Sequence, residues 1–65
     1  MEIKSFRIKD LMVQLAESEG KYYVRFVANG IEQRELIYGS YSNASTVFMQ
    51  WVDSICFIIE HNHKF

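Results

Sequence analysis

The side chains of this 65-residue chain that could do chemistry are few, and their spacing works against it. Cys56 is the single cysteine, and Glu60, His61 and His63 follow it. A thiol activated by an imidazole needs the two groups face to face and an acid to orient the base. Five or seven residues along a helix do not bring Cys56 to either histidine, and no orienting acid follows. Glu60, His61 and His63 could start a metal site, but further ligands at usable spacing are missing. Glu17, Glu19, Glu32 and Glu35 fall near loops and on strand surfaces, where carboxylates are ordinarily just solvated. There is no phosphate-cradling glycine loop, and so short a chain offers little concavity for a desolvated active site. The expectation is a protein that is not an enzyme, with no cofactor and no metal, whose function lies in its surfaces.

The element that must organise those surfaces is a C-terminal amphipathic helix expected from about Ser42 to His61. Ser42 and Asn43 are both good N-caps, and the small residues Ala44, Ser45 and Thr46 suit a first turn. At about 100° per residue, Val47, Ile58, Trp51, Ile55, Phe48, Ile59, Val52, Cys56 and Met49 form one arc. Gln50, Asp53, Ser54, Glu60 and His61 form the opposite one. The apolar arc spans roughly 200°, about twice what covering one side of a small core requires. Phe57 falls among the polar residues. One exposed aromatic is unremarkable by itself, but Met49, Cys56 and Phe57 together border a face that a second copy could cover, and they are the candidate self-association residues. Gln50, Asp53 and Ser54 interrupt the run, so a membrane span is not expected.

Ahead of the helix the pattern is sheet. Lys21 to Ala28 alternates Tyr22, Val24 and Phe26 with Tyr23, Arg25 and Val27 and is the clearest strand. Asn29-Gly30 is a hairpin turn, since both central residues of a type I′ turn need positive φ. Ile31 to Tyr38 is the next strand. A plain two-residue turn would set Arg25 opposite Arg34, a like-charge pair. A shift of one residue sets Arg25 opposite Glu35 and Val24 opposite Leu36, so a bulge or longer loop is expected. Asp10 to Ala16 reads as a strand through Leu11, Val13 and Leu15, with Glu17 to Gly20 as its loop. Ile8, Leu11, Met12 and Leu15 also fit helical spacing. Met1 to Lys9 is an edge strand or an arm.

The expected architecture is therefore α+β: a three-stranded antiparallel meander with one long C-terminal helix packed on one face, the alternative being helix, β-hairpin, helix. The expected core is Leu11, Val13, Leu15, Val24, Phe26, Leu36, Val47, Trp51, Ile55 and Ile58. The chain is one domain at most, at a size where a core is marginal without help such as oligomerisation. Met1 is followed by the charged stretch EIKSFRIKD, unlike a signal peptide, and an intracellular protein is expected.

A net charge of -1 offers neither the basic excess of a typical nucleic-acid binder nor the dense acidic array of a DNA mimic. Lys4, Arg7 and Lys9 form a small basic cluster, with a solvated face as its ordinary meaning. What remains is protein binding. The sheet face away from the helix is expected to carry Tyr23, Arg25, Val27, Arg34 and Ile37, extended by Tyr22, Tyr38 and Tyr41. Tyrosine and arginine commonly anchor interfaces, so Tyr23, Arg25, Arg34 and Tyr41 are the candidate partner-binding residues, although such faces are also often merely solvated.

From Leu11 to Trp51, the hairpin, the turn marked by Val27, Asn29 and Gly30, the following strand and the serine-capped helix carrying Trp51 resemble small phage-encoded anti-CRISPR proteins of the sheet-plus-helix kind. That resemblance covers about two-thirds of the chain, which lacks a second C-terminal helix. It implies a non-enzymatic inhibitor that binds a defence complex in the cytoplasm of a bacterial host, often through tyrosines and charged residues of the sheet. The same segment is similar to a double-stranded RNA-binding domain. That family places a lysine cluster at the start of its final helix, where this chain has Asn43, Ala44, Ser45 and Thr46. Without those charges most of the electrostatic affinity for RNA would be lost.

Overall fold

The computed structural model describes residues 1–62, with side chains through Glu60. The His61 and His63 considered above, like the tail to Phe65, therefore lie outside the described side chains. Four strands, β1 (Glu2–Ile8), β2 (Leu11–Ser18), β3 (Lys21–Ala28) and β4 (Ile31–Tyr38), precede one helix, α1 (Tyr41–Asn62). The sheet is a simple antiparallel meander in the order β1-β2-β3-β4.

The expected meander of three strands is thus corrected to four, and the helical reading of Leu11 to Ala16 is overturned. Met1 to Lys9 is not an arm: it pairs along β2 from Glu2 opposite Ala16 to Ile8 opposite Leu11. Closure at its start is mutual, with Glu17 N donating to Met1 O at 2.8 Å and the Met1 ammonium donating to Glu17 O. The turn between β1 and β2 is easily missed in the sequence, because Lys9 takes φ +54° there with no glycine or asparagine to announce it. The next two turns are signalled: Glu19-Gly20 and Asn29-Gly30 have positive φ at both residues, as two-residue turns between twisted strands need.

Strand alternation decides which face each residue takes. Toward the helix the sheet presents Phe6, Ile8, Leu11, Val13, Leu15, Tyr22, Val24, Phe26, Leu36 and Tyr38. Val13, Leu15 and Val24 are completely buried there. The helix answers with Ala44, Phe48 and Ile55, a spacing of 4 and 7 that keeps one line on the sheet. Trp51 sets its ring edge-on to Phe26, with centroids 6.4 Å apart. The expected core holds at its centre but not at its rim: Ile58 is 52% exposed, while Phe48 and Ala44 take the central places. The reason is direction: Ile58 falls on the helix flank beside Trp51 and Arg34, whereas Ile59 in the same turn packs against the core.

The helix also starts earlier than its cap residues suggest. Ser40 is the cap: its Oγ accepts from Asn43 N at 3.2 Å and its carbonyl from Ala44 N at 3.2 Å. Ser42 sits inside the first turn, where its carbonyl accepts from the Thr46 hydroxyl at 2.9 Å. Among the described residues no helix is long and apolar enough to cross a membrane.

Candidate functional site

The sheet face that α1 leaves uncovered is built from three rows of cross-strand neighbours. Arg7, Met12, Val27 and Glu32 make one, Ser5, Gln14, Arg25 and Glu35 the next, and Ala16, Tyr23 and Ile37 the third. Cross-strand side chains stand close enough to interact within each row. Between the first two rows lies a shallow depression of about 350 Å³, lined among others by Arg7, Met12, Gln14, Arg25 and Glu32.

Arg25 is the hub of this face. Its Nε donates to Glu35 Oε2 at 2.5 Å and lies 3.6 Å from Glu32 Oε1, so two carboxylates of β4 flank one guanidinium of β3. Its guanidinium also stands 5.8 Å from the centre of the Tyr23 ring, within cation–π range. The Glu35 hydrogen bond, opposed by partial burial and helped by the charges of Glu35 and Glu32, raises the Arg25 pKa above its ordinary value. Arg25 is therefore a fixed positive charge held in one orientation. Met12, Val27 and Ile37 give the surrounding face its apolar area, with Ile37 56% exposed.

Of the four candidate partner-binding residues, only Tyr23 and Arg25 share this face. Arg34 is opposite Phe26 and so points to the helix side, where it lines a depression with Leu36, Trp51 and Ile58. The cause is a bulge. Phe26 pairs with Arg34 but Val27 pairs with Glu32, leaving Gln33 as the extra residue. The expected register of Arg25 opposite Glu35 and Val24 opposite Leu36 is present. In that register Arg25 and Arg34 necessarily lie on opposite faces.

Tyr41 is at the helix start and meets Tyr22 edge-on at 5.9 Å, so the extension of the open face through Tyr22, Tyr38 and Tyr41 does not occur. The basic cluster is dispersed in the same way. Lys4 turns under the helix, with its Nζ 3.3 Å from Ser45 Oγ and 5.1 Å from the Phe48 ring centre, whereas Arg7 is on the open face.

The self-association candidates are on the helix surface away from the core. Met49 is 49% and Phe57 60% exposed, and Cys56 is a half-buried free thiol. Among the described residues no cluster of three histidine, cysteine or acidic side chains could hold a metal ion. Sequence reasoning missed Arg7, Met12 and Gln14 as members of the open face. The signal was available, since placing Leu11, Val13 and Leu15 on one side of a strand places Met12 and Gln14 on the other. Compared with protein-family models, curated proteins and solved structures, the chain has no match.

Proposed function

We propose that this chain is a binding protein without chemistry of its own, which acts by laying its open sheet face on a partner protein. The particular reading is a small phage or mobile-element protein that occupies, and thereby inhibits, a defence complex in the cytoplasm of a bacterial host. One observation supports the binding reading above the others: Tyr23 and Arg25 stand together at the middle of an uncovered sheet, with Arg25 held by Glu35 and Glu32 before any partner arrives. A fixed arginine beside a tyrosine loses little side-chain freedom on docking, and that loss is one of the entropic costs at an interface. Met12, Val27 and Ile37 supply the apolar contact around them. The inhibitor reading rests on the layout resemblance of the stretch from Leu11 to Trp51.

The test starts with capture of host proteins by the tagged chain from bacterial lysate, with and without nuclease, followed by titration of the captured complex. The expected result is one protein complex that survives nuclease. Replacing both Tyr23 and Arg25 with alanine should then weaken binding by about 30-fold or more, the size of a central hot spot. Unchanged affinity in a variant with an unchanged circular dichroism spectrum removes the open face as the binding site. Loss of all captured material on nuclease treatment removes the protein-partner reading itself.

A further inference from the structure

Strand β4 is the outer strand on one side of the sheet, with β3 as its only neighbour among the described residues. Six of its eight residues are exposed, and only Leu36 and Tyr38 are half-buried. An edge of this kind offers a row of unpaired backbone groups, and proteins usually blunt it with proline, lysine or an irregularity. The other edge, β1, is blunted: it is irregular between Glu2 and Lys4 and carries Lys4 and Arg7. Strand β4 has its bulge at Gln33 and the charges of Arg34 and Glu35, but neither proline nor lysine. Beyond Gln33 the strand is regular, and it ends in the uncharged run Leu36-Ile37-Tyr38.

We propose that β4 is a self-association edge: two copies pair their β4 strands antiparallel about a two-fold axis at Leu36, joining both sheets into one. The charges choose this register. An axis at Arg34 or Glu35 sets like charges directly opposite each other, which is unfavourable. An axis at Ile37 leaves only residues 36 to 38 of each strand paired. The axis at Leu36 pairs residues 34 to 38, setting Leu36 against itself, Glu35 against Ile37, and Arg34 against Tyr38.

Each partner suits its place. Glu35 has its charge matched by Arg25 within its own chain. Arg34, which has no ion pair among the described residues, gains the face of a tyrosine. Beside the edge, a depression of about 410 Å³ opens between β4 and α1, bordered by Leu36, Trp51 and Ile58. In this register both helices lie on the same side of the joined sheet, so the two depressions flank the axis. Ile58, exposed in the single chain, then faces the seam.

The pairing also makes the two open faces continuous, which doubles the surface carrying Tyr23 and Arg25. It stands independently of what those residues bind. Five paired residues per chain bury less than a standard interface, so a weak dimer with a Kd on the order of 100 µM is expected.

Sedimentation or light scattering of the full chain from about 10 to 500 µM brackets that strength. The mass should rise from the single-chain value of 7.7 kDa toward twice it. Ile37→Glu, which sets a second carboxylate opposite Glu35 of the other copy, should hold the chain monomeric. Ile37→Lys, which sets an opposite charge there, should remain dimeric. In a Cys56→Ser background, Leu36→Cys should oxidise to a cross-linked dimer, because the axis places the two thiols opposite each other. A wild-type chain that stays monomeric throughout the range overturns the proposal. So does a dimer that Ile37→Glu leaves intact while Met49→Asp separates it, which would put the contact on the helix. Equal dissociation by Ile37→Glu and Ile37→Lys, or no cross-linking of Leu36→Cys, overturns the register.

Discussion

Deleting Gln33 from the middle of β4 should leave the fold intact, whereas deleting Glu35 two positions later should damage it. The bulge explains why. Gln33 is the residue without an opposite number: Arg34 faces Phe26 and Glu32 faces Val27. Its removal closes the strand into unbroken alternation while keeping every other pair, including Arg25 with Glu35. The loss is one exposed hydrogen bond, Gln33 Nε2 to Ile31 O at 3.1 Å, which a net value of about 1 kcal/mol or less covers. Removing Glu35 closes the same bulge but draws Arg34 into the place opposite Arg25. That exchanges a favourable pair for a like-charge pair. An exposed ion pair contributes about 0.2–1 kcal/mol and like charges directly opposite cost a similar amount, so the penalty specific to this deletion is about 0.4–2 kcal/mol. Gln33 would also replace Arg34 opposite Phe26. For a chain of this size about 1 kcal/mol moves the melting temperature by roughly 4–8 °C. Thermal melts followed by circular dichroism should therefore place the Glu35 deletion clearly below the Gln33 deletion, with the latter close to wild type. If the Gln33 deletion melts as low as the Glu35 deletion or lower, the bulge is a structural requirement rather than a spacer, and the charge argument for the register fails.

Two further outcomes test how the fold is held together. Leu15 is completely buried between Lys4 and Val24 on the neighbouring strands. Leu15→Ala should cost about 2–5 kcal/mol, against a total of about 3–10 kcal/mol for a chain this short. Urea titration should show a large drop in midpoint with little change in slope, and a loss under about 1 kcal/mol would show that the core lies elsewhere. At the hairpin tip, Gly30 has φ +77° with no atom near an added Cβ, so Gly30→Ala meets backbone strain alone. It should cost about 1–2 kcal/mol, while Gly39→Ala, equally uncrowded but outside the left-handed region, should be near neutral or slightly stabilising. Equal melting temperatures for the two variants would argue against the left-handed turn.

What could be read in the sequence was local or enforced by strong alternation. The β3 strand, the Asn29-Gly30 turn, the long helix and the middle of the core, Val13, Leu15, Val24 and Ile55, all follow from residue type and period. Even the bulge could be foreseen, because like charges at Arg25 and Arg34 would otherwise stand opposite each other. The first strand and its turn were ambiguous, since Lys9 carries no turn signature and EIKSFRIKD is evenly mixed. Only pairing with β2 gives that stretch a reason to be extended.

For the candidate site, residue chemistry selected Tyr23, Arg25, Arg34 and Tyr41 without sorting them by face, although the expected register of Arg25 opposite Glu35 already set Arg34 on the other side. A strand assigns faces by parity, and one inserted residue reverses the assignment for everything on one side of it. Gln33 does this to Arg34, and the packing of the helix start against Tyr22 does the equivalent to Tyr41. The sequence by itself determined β3, the hairpin into β4 and the long helix, because side-chain period and turn chemistry act within a few residues, whereas β1 was decided by its pairing with β2. The tertiary structure alone decided that Arg7 joins the open face and that Tyr41 leaves it for Tyr22, because strand pairing and helix docking act between segments far apart in the chain.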